Sequence, residues 1–276
     1  MVKFITFLKG INRKIIITCL LFVVISFSYF SQIVPPGHGN TNTTSTFAFG
    51  IKQDMNRKDG IGWMSDSYIS ISRQSSQGSK NLFEKPGFFI VNQEFYNRFL
   101  PNWEHSIALS YRRQNRFSDE DPFVAEDPAY KNEFRLYGRF SYLFKSKYVE
   151  ITPTLRQEFM KYYNPDFTHY DETFRMRTRF RLKFTFNLTE DKVHKISLYS
   201  EQLFSTSRYH TTKGFSDFVY KDSRFTLFYS YSPYEIPFAF NIGYMNNLIG
   251  YKKPFSVHNF ALDVTWKNPF KGKRDK

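Results

Sequence analysis

Thr173-Phe174-Arg175-Met176-Arg177-Thr178-Arg179-Phe180-Arg181-Leu182-Lys183-Phe184-Thr185-Phe186-Asn187-Leu188 is the stretch whose reading decides the fold. Taken with a period of two, Phe174, Met176, Thr178, Phe180, Leu182, Phe184, Phe186 and Leu188 fall on one side. Thr173, Arg175, Arg177, Arg179, Arg181, Lys183, Thr185 and Asn187 fall on the other. A strand turns successive side chains to opposite faces and separates these sets completely, whereas a helix of 3.6 residues per turn scatters both around its circumference. The stretch is therefore predicted as a strand, longer than the usual five or six residues of a globular sheet and close to a tilted bilayer span. Its apolar face requires oil, and its arginine face requires water or acids.

Outward from this strand the same alternation recurs. Segments 46–54, 61–73, 88–99, 106–116, 132–144, 148–160, 195–204, 223–232, 236–245 and a last one ending at Trp266 each carry an apolar stripe opposite a polar one. Leu136, Phe140, Tyr142 and Phe144 stand against Arg135 and Arg139, for example, and Leu227, Tyr229 and Tyr231 project from 223–232. Gln93 and Asn97 weaken one outer stripe, and Pro153 predicts a bulge, because a closed barrel has no spare ladder position. Polar loops are expected at 75–87, 118–131, 161–172, 205–222 and 247–256, with shorter turns between them. Alternating short and long connections, with 33 Phe and 19 Tyr among 276 residues, match a transmembrane barrel, whose hydrophobicity hides in alternation. The fold expected is all-β: a transmembrane antiparallel up-and-down β-barrel of outer-membrane type with 10 to 12 strands. Eleven segments are counted, but single-chain bacterial barrels have even numbers, so ten or twelve is anticipated. A soluble lipocalin-like barrel would instead turn the apolar stripe inward, and a lumen has no room for so many aromatics.

At the N-terminus Lys3, Lys9, Arg13 and Lys14 precede the apolar run 15–25, and Ser26-Phe27-Ser28 offers a small-x-small cleavage site. This predicts a secretory signal peptide over 1–31, an irregular Pro, Gly, Asn and Thr-rich arm over 32–44, a barrel over 45–270 and a basic periplasmic tail over 271–276. Export by a Sec-type route and residence in the outer membrane follow, with lipid, lipopolysaccharide and the barrel assembly machinery as partners. The sole cysteine, Cys19, lies in the leader, so disulfides and thiol chemistry are excluded from the mature chain. Of the formal charge of +14, the leader's four cations account for four, leaving +10 spread along strands. A nucleic-acid binder would cluster that charge in one patch, so no nucleic acid is expected.

The polar stripes place a ladder of cations in the lumen: Arg112, Arg116, Arg135, Arg139, Arg156, Arg175, Arg177, Arg179, Arg181 and Lys183, accompanied by Glu133, Glu150, Glu158 and Glu201. Fixed positive charge in a narrow channel concentrates small anionic solutes. The same residues can equally form an internal ion-pair network that fills a small barrel. A structural barrel or passive small-anion channel is thus expected. The alternative is a surface-facing envelope lipid-modifying enzyme of phospholipase or lipid A deacylase type. For that chemistry His169 and His210, near Asp166, Asp171 and Asp217, are the candidates at the outer rim, although no serine motif of known spacing accompanies them. No His, Asp or Glu cluster has metal-ligand spacing, and no cofactor is implied.

Phe134-Arg135-Leu136-Tyr137-Gly138-Arg139-Phe140, Leu155-Arg156-Gln157-Glu158-Phe159, the arginine strand 174–183, Leu198-Tyr199-Ser200-Glu201-Gln202-Leu203-Phe204 and Arg224-Phe225-Thr226-Leu227-Phe228-Tyr229 together resemble a family of small Bacteroidetes outer-membrane barrels grouped as a domain of unknown function. The resemblance covers about 45–267. It implies an outer-membrane barrel and brings no activity with it.

Overall fold

A computed structural model describes residues 41–118, 120–212, 214–250 and 255–270. The expected signal peptide, residues 32–40 of the arm and the basic tail lie outside the described residues. The elements are β1 (Thr43–Asp54), β2 (Gly62–Gln74), β3 (Lys85–Leu100), β4 (Trp103–Phe117), β5 (Ala125–Tyr142), β6 (Phe144–Lys145), β7 (Val149–Tyr163), β8 (His169–Asn187), β9 (His194–Tyr209), β10 (Val219–Tyr231), β11 (Phe238–Ile249) and β12 (Phe255–Lys267). Among the described residues there is no helix, as the uniform period of two requires. All of the arginine stretch but its last residue, Leu188, lies within the longest strand among the described residues, β8.

Each strand pairs antiparallel with its sequence neighbour from β1 to β5 and from β7 to β12, and β5 pairs with β7. β6 is a two-residue continuation of β5 beside β7, so eleven strands make the wall. Antiparallel pairing holds everywhere except one seam, where β1 and β12 pair parallel from Thr43↔His258 to Lys52↔Lys267. The expected even parity is not met, and its physical reason is visible in the seam. An odd number of alternating strands brings the first and last into the same direction, and a parallel ladder, although slightly weaker per residue, removes two open edges. The seam is held from inside by the Thr44 and Thr46 hydroxyls, which donate to Asn259 Oδ1 at 2.8 and 3.1 Å. At its far end Asn268 Oδ1 accepts from the Asp54 backbone N–H at 2.7 Å.

The strand ends Gln74 and Lys85, Phe117 and Ala125, Tyr163 and His169, Tyr209 and Val219, and Ile249 and Phe255 stand at the upper end, where β1 begins. The turns 55–61, 101–102, 146–148, 188–193 and 232–237 stand at the lower end. The upper connections are shorter than the loops expected from sequence, because β5, β8, β9 and β10 all run further toward that end. The bulge expected at Pro153 is absent. Register continues from Thr154↔Ser141 to Ile151↔Phe144, and the ladder simply lapses between β5 and β6 opposite the residue that has no N–H to offer.

The apolar stripes face outward and the charged stripes inward, the reverse of a lipocalin-like barrel. Leu109 and Ile242 are 66% and 60% exposed, while Glu94 and Glu158 are 2% and 0% exposed. The outer wall is zoned. Trp63, Phe99, His105, Trp103, Phe140, Tyr142 and Phe144 form a chain of ring contacts at the lower end, extended by Tyr231, Phe240, Phe238 and Trp266. All three tryptophans sit in this belt. A second belt near the upper end joins Tyr111, Phe134 and Tyr163, then Phe159, Phe174 and Phe215, and then Phe204, Phe218 and Tyr220. Aliphatic side chains such as Ile69, Ile107, Leu136, Leu198 and Leu262 fill the zone between them. The outward-facing polar residues that interrupt this zone pair sideways: Thr178 donates to Gln157 at 2.7 Å, and Gln93 donates to Ser65 at 2.9 Å.

Gly243 on β11 is required by its neighbour rather than by its backbone. The inward ring of Phe228 on β10 lies over Gly243, its register partner, and occupies the place a Cβ would take. Gly243→Ala is therefore expected to destabilise the barrel by about 1–3 kcal/mol through overpacking. In a Phe228→Leu background the same change is expected to cost less, as read from urea unfolding midpoints of the detergent-folded protein in a double-mutant cycle.

Candidate functional site

The charged faces of β3, β4, β5, β7, β8, β9 and β10 converge on the lumen, and Glu158 is their centre. Register decides its company: on β7 it stands opposite Arg177 of β8 and Tyr137 of β5, one step from the row Arg139, Arg156 and Arg179. Four guanidinium groups surround its carboxylate. Arg177 donates from Nε at 2.5 Å, Arg156 Nε and Arg179 Nη2 approach Oε1 at 2.6 and 3.0 Å, and Arg135 Nη1 stands at 3.7 Å. Glu201 on β9 repeats the pattern more loosely, with Arg179, Arg224 and Arg181 at 3.6, 3.7 and 3.9 Å. Arg179 thus bridges the two acids.

Around this centre the remaining groups are satisfied locally. Glu133 accepts from Arg135 Nε at 2.8 Å. Glu94 stands 3.2 Å from Arg139 and accepts from Ser106 at 2.5 Å and from the Tyr137 hydroxyl at 2.8 Å. The Arg156 guanidinium lies 3.6 Å over the Tyr137 ring, an attraction that strengthens out of water. Toward the upper mouth Arg175 is paired with Glu172 at 2.5 Å, and Arg116 contacts Glu126. The supply of acids is short, since among the described residues eight arginines from Arg112 to Arg224 meet Glu94, Glu133, Glu158, Glu201 and Asp222 and no further acid in ion-pair contact across the middle of the lumen. Several guanidinium nitrogens, including Nε of Arg139, Arg156, Arg179 and Arg181, are buried without an aligned hydrogen bond even where a carboxylate is close. The waist therefore keeps net positive charge.

Side chains, not solvent, fill this level. Glu158, Met160 and Leu203 are 0% exposed, and Tyr137, Asn92 and Arg177 are similarly buried. On the seam wall Thr44, Asn247 and Val257 are closed to water as well. Charged groups nearer the mouths are wetter: Arg175 and Arg116 above, and Arg181, Lys52 and Asp66 below, keep partly exposed side chains.

Of the residues singled out from sequence, Arg135, Arg156, Arg177, Arg179, Arg181, Glu158 and Glu201 come together in one network. Arg139 joins through Glu94, Arg175 and Arg116 occupy the upper mouth, and Arg112 is buried beside Glu133 without an ion pair within 4.0 Å among the described residues. Glu150 and Lys183 stand apart near the lower end, where Glu150 accepts a 3.4 Å hydrogen bond from Thr152. The candidate set did not include Glu94, Glu172, Asp222, Arg224 or Tyr137. Alternation along 88–99 does turn Glu94 inward, and Arg224 has the same parity, each preceding an outward Phe, so both were within reach of the sequence. Glu172 and Asp222 border bulges at Glu172/Phe174 and Tyr220/Asp222, where parity breaks.

At the upper rim His169 and His210 do meet, with ring centroids 6.2 Å apart, in an outward groove of about 640 Å³ shared with Lys161, Phe174 and Arg208. The nearby acids are engaged differently. Asp166 accepts from Thr168, and Asp171 offers its backbone carbonyl to the His210 N–H at 2.7 Å. Neither imidazole hydrogen-bonds a carboxylate or hydroxyl among the described residues. No group of three metal-ligating side chains occurs among them either.

No family model and no curated protein matches the chain. The site must be interpreted from its own geometry.

That geometry makes Glu158 the least replaceable acid. Glu158→Gln leaves four guanidinium groups around a neutral amide and is expected to destabilise the barrel by about 3–5 kcal/mol. Arg181→Met, at a partly exposed position with one 3.9 Å ion-pair contact and a 5.7 Å approach to the Tyr199 ring, is expected to cost less than about 1 kcal/mol. Chemical unfolding of the two variants side by side checks the contrast.

Proposed function

We propose that the protein is an integral β-barrel of a bacterial outer membrane, shut at its waist by the Glu158 network and selective for small anions when it conducts. The observation that carries this reading is the zoned outer wall. A continuous band of exposed aliphatic side chains between two aromatic belts has no use in water, where monomers rarely expose apolar patches beyond a few hundred Å². It is the surface a bilayer solvates, with aromatic rings at each interface. The sideways pairing of Gln157 with Thr178 and of Gln93 with Ser65 fits the same solvent, because a lone polar group in hydrocarbon costs several kcal/mol.

In this reading the leader over 1–31 directs Sec-type export and is removed, and the aromatic-ended β12 is offered to the barrel assembly machinery. The lower end, whose connections are on the whole shorter, faces the periplasm. The upper end meets lipopolysaccharide and carries the start of β1. The motifs of β5, β7, β8, β9 and β10 support placement beside the Bacteroidetes barrels they resemble. The buried waist favours a structural or closed barrel over an open pore, and its excess of arginine over acid makes anions the favoured solutes.

In planar bilayers the folded protein is expected to insert without a steady porin-like current, and any openings are expected to prefer anions. Arg177→Glu with Arg179→Glu is expected to abolish that preference. A large ohmic current from the wild type, or failure to insert, would refute the reading.

A further inference from the structure

Among the described residues one buried cation remains outside the network, and its surroundings are those of a receptor. Arg112, on β4, is 3% exposed. Its guanidinium rests 4.5 Å from the Phe88 ring, and Nε and Nη2 have no hydrogen-bond partner. Its cross-strand neighbour Glu133 is already bonded to Arg135. Two residues nearer the upper mouth on β5, Lys131 also makes no ion pair among the described residues; its ammonium hangs between the rings of Tyr162 and Tyr170 at 5.0 and 5.1 Å. The charges acting on Lys131 are Arg175 and Arg112, opposed by Glu172 and Glu133. Those two acids are committed to Arg175 and Arg135. Tyr162, 2% exposed, bonds through its hydroxyl to the Met160 sulfur at 3.5 Å and to no other partner among the described residues.

A buried charge without a partner is strongly unfavourable, and a neighbouring hydroxyl bonded only weakly, to a thioether sulfur, does little to offset it. One ligand answers all three groups: a small anion with several acceptor oxygens. The guanidinium fork suits two oxygens of one tetrahedral centre, the ammonium supplies a point charge, and the phenol donates to a further oxygen. Water reaches Arg116 and Arg175, whose side chains are 24% and 28% exposed, so such an anion can arrive from the upper mouth.

We propose that Arg112, Lys131 and Tyr162 form a lumenal binding site for one phosphate-type oxyanion. The proposal deepens the anion preference stated above and rests on the cationic lumen, independently of where the barrel resides. A folded protein indifferent to phosphate would defeat the site and leave the membrane reading intact, whereas failure to insert into bilayers would leave the site untouched.

The test is the urea unfolding midpoint of the full chain folded in detergent, titrated with inorganic phosphate at ionic strength held constant with chloride. The wild-type midpoint is expected to rise saturably. Arg112→Met is expected to abolish the rise and, having removed a lone buried cation, to unfold without phosphate no more easily than the wild type. Lys131→Gln is expected to raise the half-saturating phosphate concentration at least tenfold. Glycerol 3-phosphate run in parallel separates the sources: a response to inorganic phosphate alone supports a free-anion site, and a response to both supports a site for phosphoryl groups. No saturable response in the wild type, an undiminished response in Arg112→Met, or easier unfolding of Arg112→Met without phosphate would overturn the proposal.

Discussion

Burying arginines inside a closed sheet is the constraint on which the rest of this structure depends. Arg175, Arg177, Arg179 and Arg181 project from the same side of one strand, and that row of like charges is tolerable only if acids reach between them. Register supplies the acids. Glu158 arrives opposite Arg177, and Glu201 arrives opposite Arg181, so that both acids reach Arg179 from the two flanking strands. A slip of one residue on either side would send every charge of that strand to the outer face and every phenylalanine into the lumen. The network therefore fixes pairing as much as it contributes stability, and Tyr137 completes it by covering Arg156 with its ring while donating to Glu94.

Closure is the second requirement, because an inverted barrel with an open seam would present unpaired backbone groups beside its apolar outer face. Eleven strands close only with the first and last parallel. The seam meets that condition with a continuous ladder and with side chains that hold both ends: Asn259 with the two threonines inside, and Asn268 with Asp54 below. The small inward residues of this wall, Ala48, Gly50, Gly243 and Ala261, leave room for the long arginines of the opposite wall and for Phe228.

What was legible in the sequence was whatever depends on neighbouring residues. The alternation along β8 and the tight turn between β5 and β7 are local, and they sufficed to separate outward from inward positions on nearly every strand. The seam was not legible, because pairing between Thr43 and His258 leaves no mark near either residue. Neither was the sharing of Glu158 among four arginines, which depends on the register of three strands. Glu172 and Asp222 were hidden for another reason: a bulge shifts the parity by one, and residues beyond it look like loop. Glu150 had the right parity but the wrong height, standing opposite Thr185 near the lower end rather than among the arginines.

The barrel is inside out, with its charges sealed within, and the membrane placement proposed for it puts its phenylalanines in lipid. The most direct measurement is accessibility of single spin-labelled cysteines along β8, in a chain lacking Cys19 and reconstituted in bilayers. High oxygen accessibility at Phe180, Leu182 and Phe184, alternating with low oxygen accessibility at Arg181, Lys183 and Thr185, is the result the account predicts. Uniform accessibility along the strand, or labels at the phenylalanine positions that respond to water-soluble relaxants instead of oxygen, would contradict it.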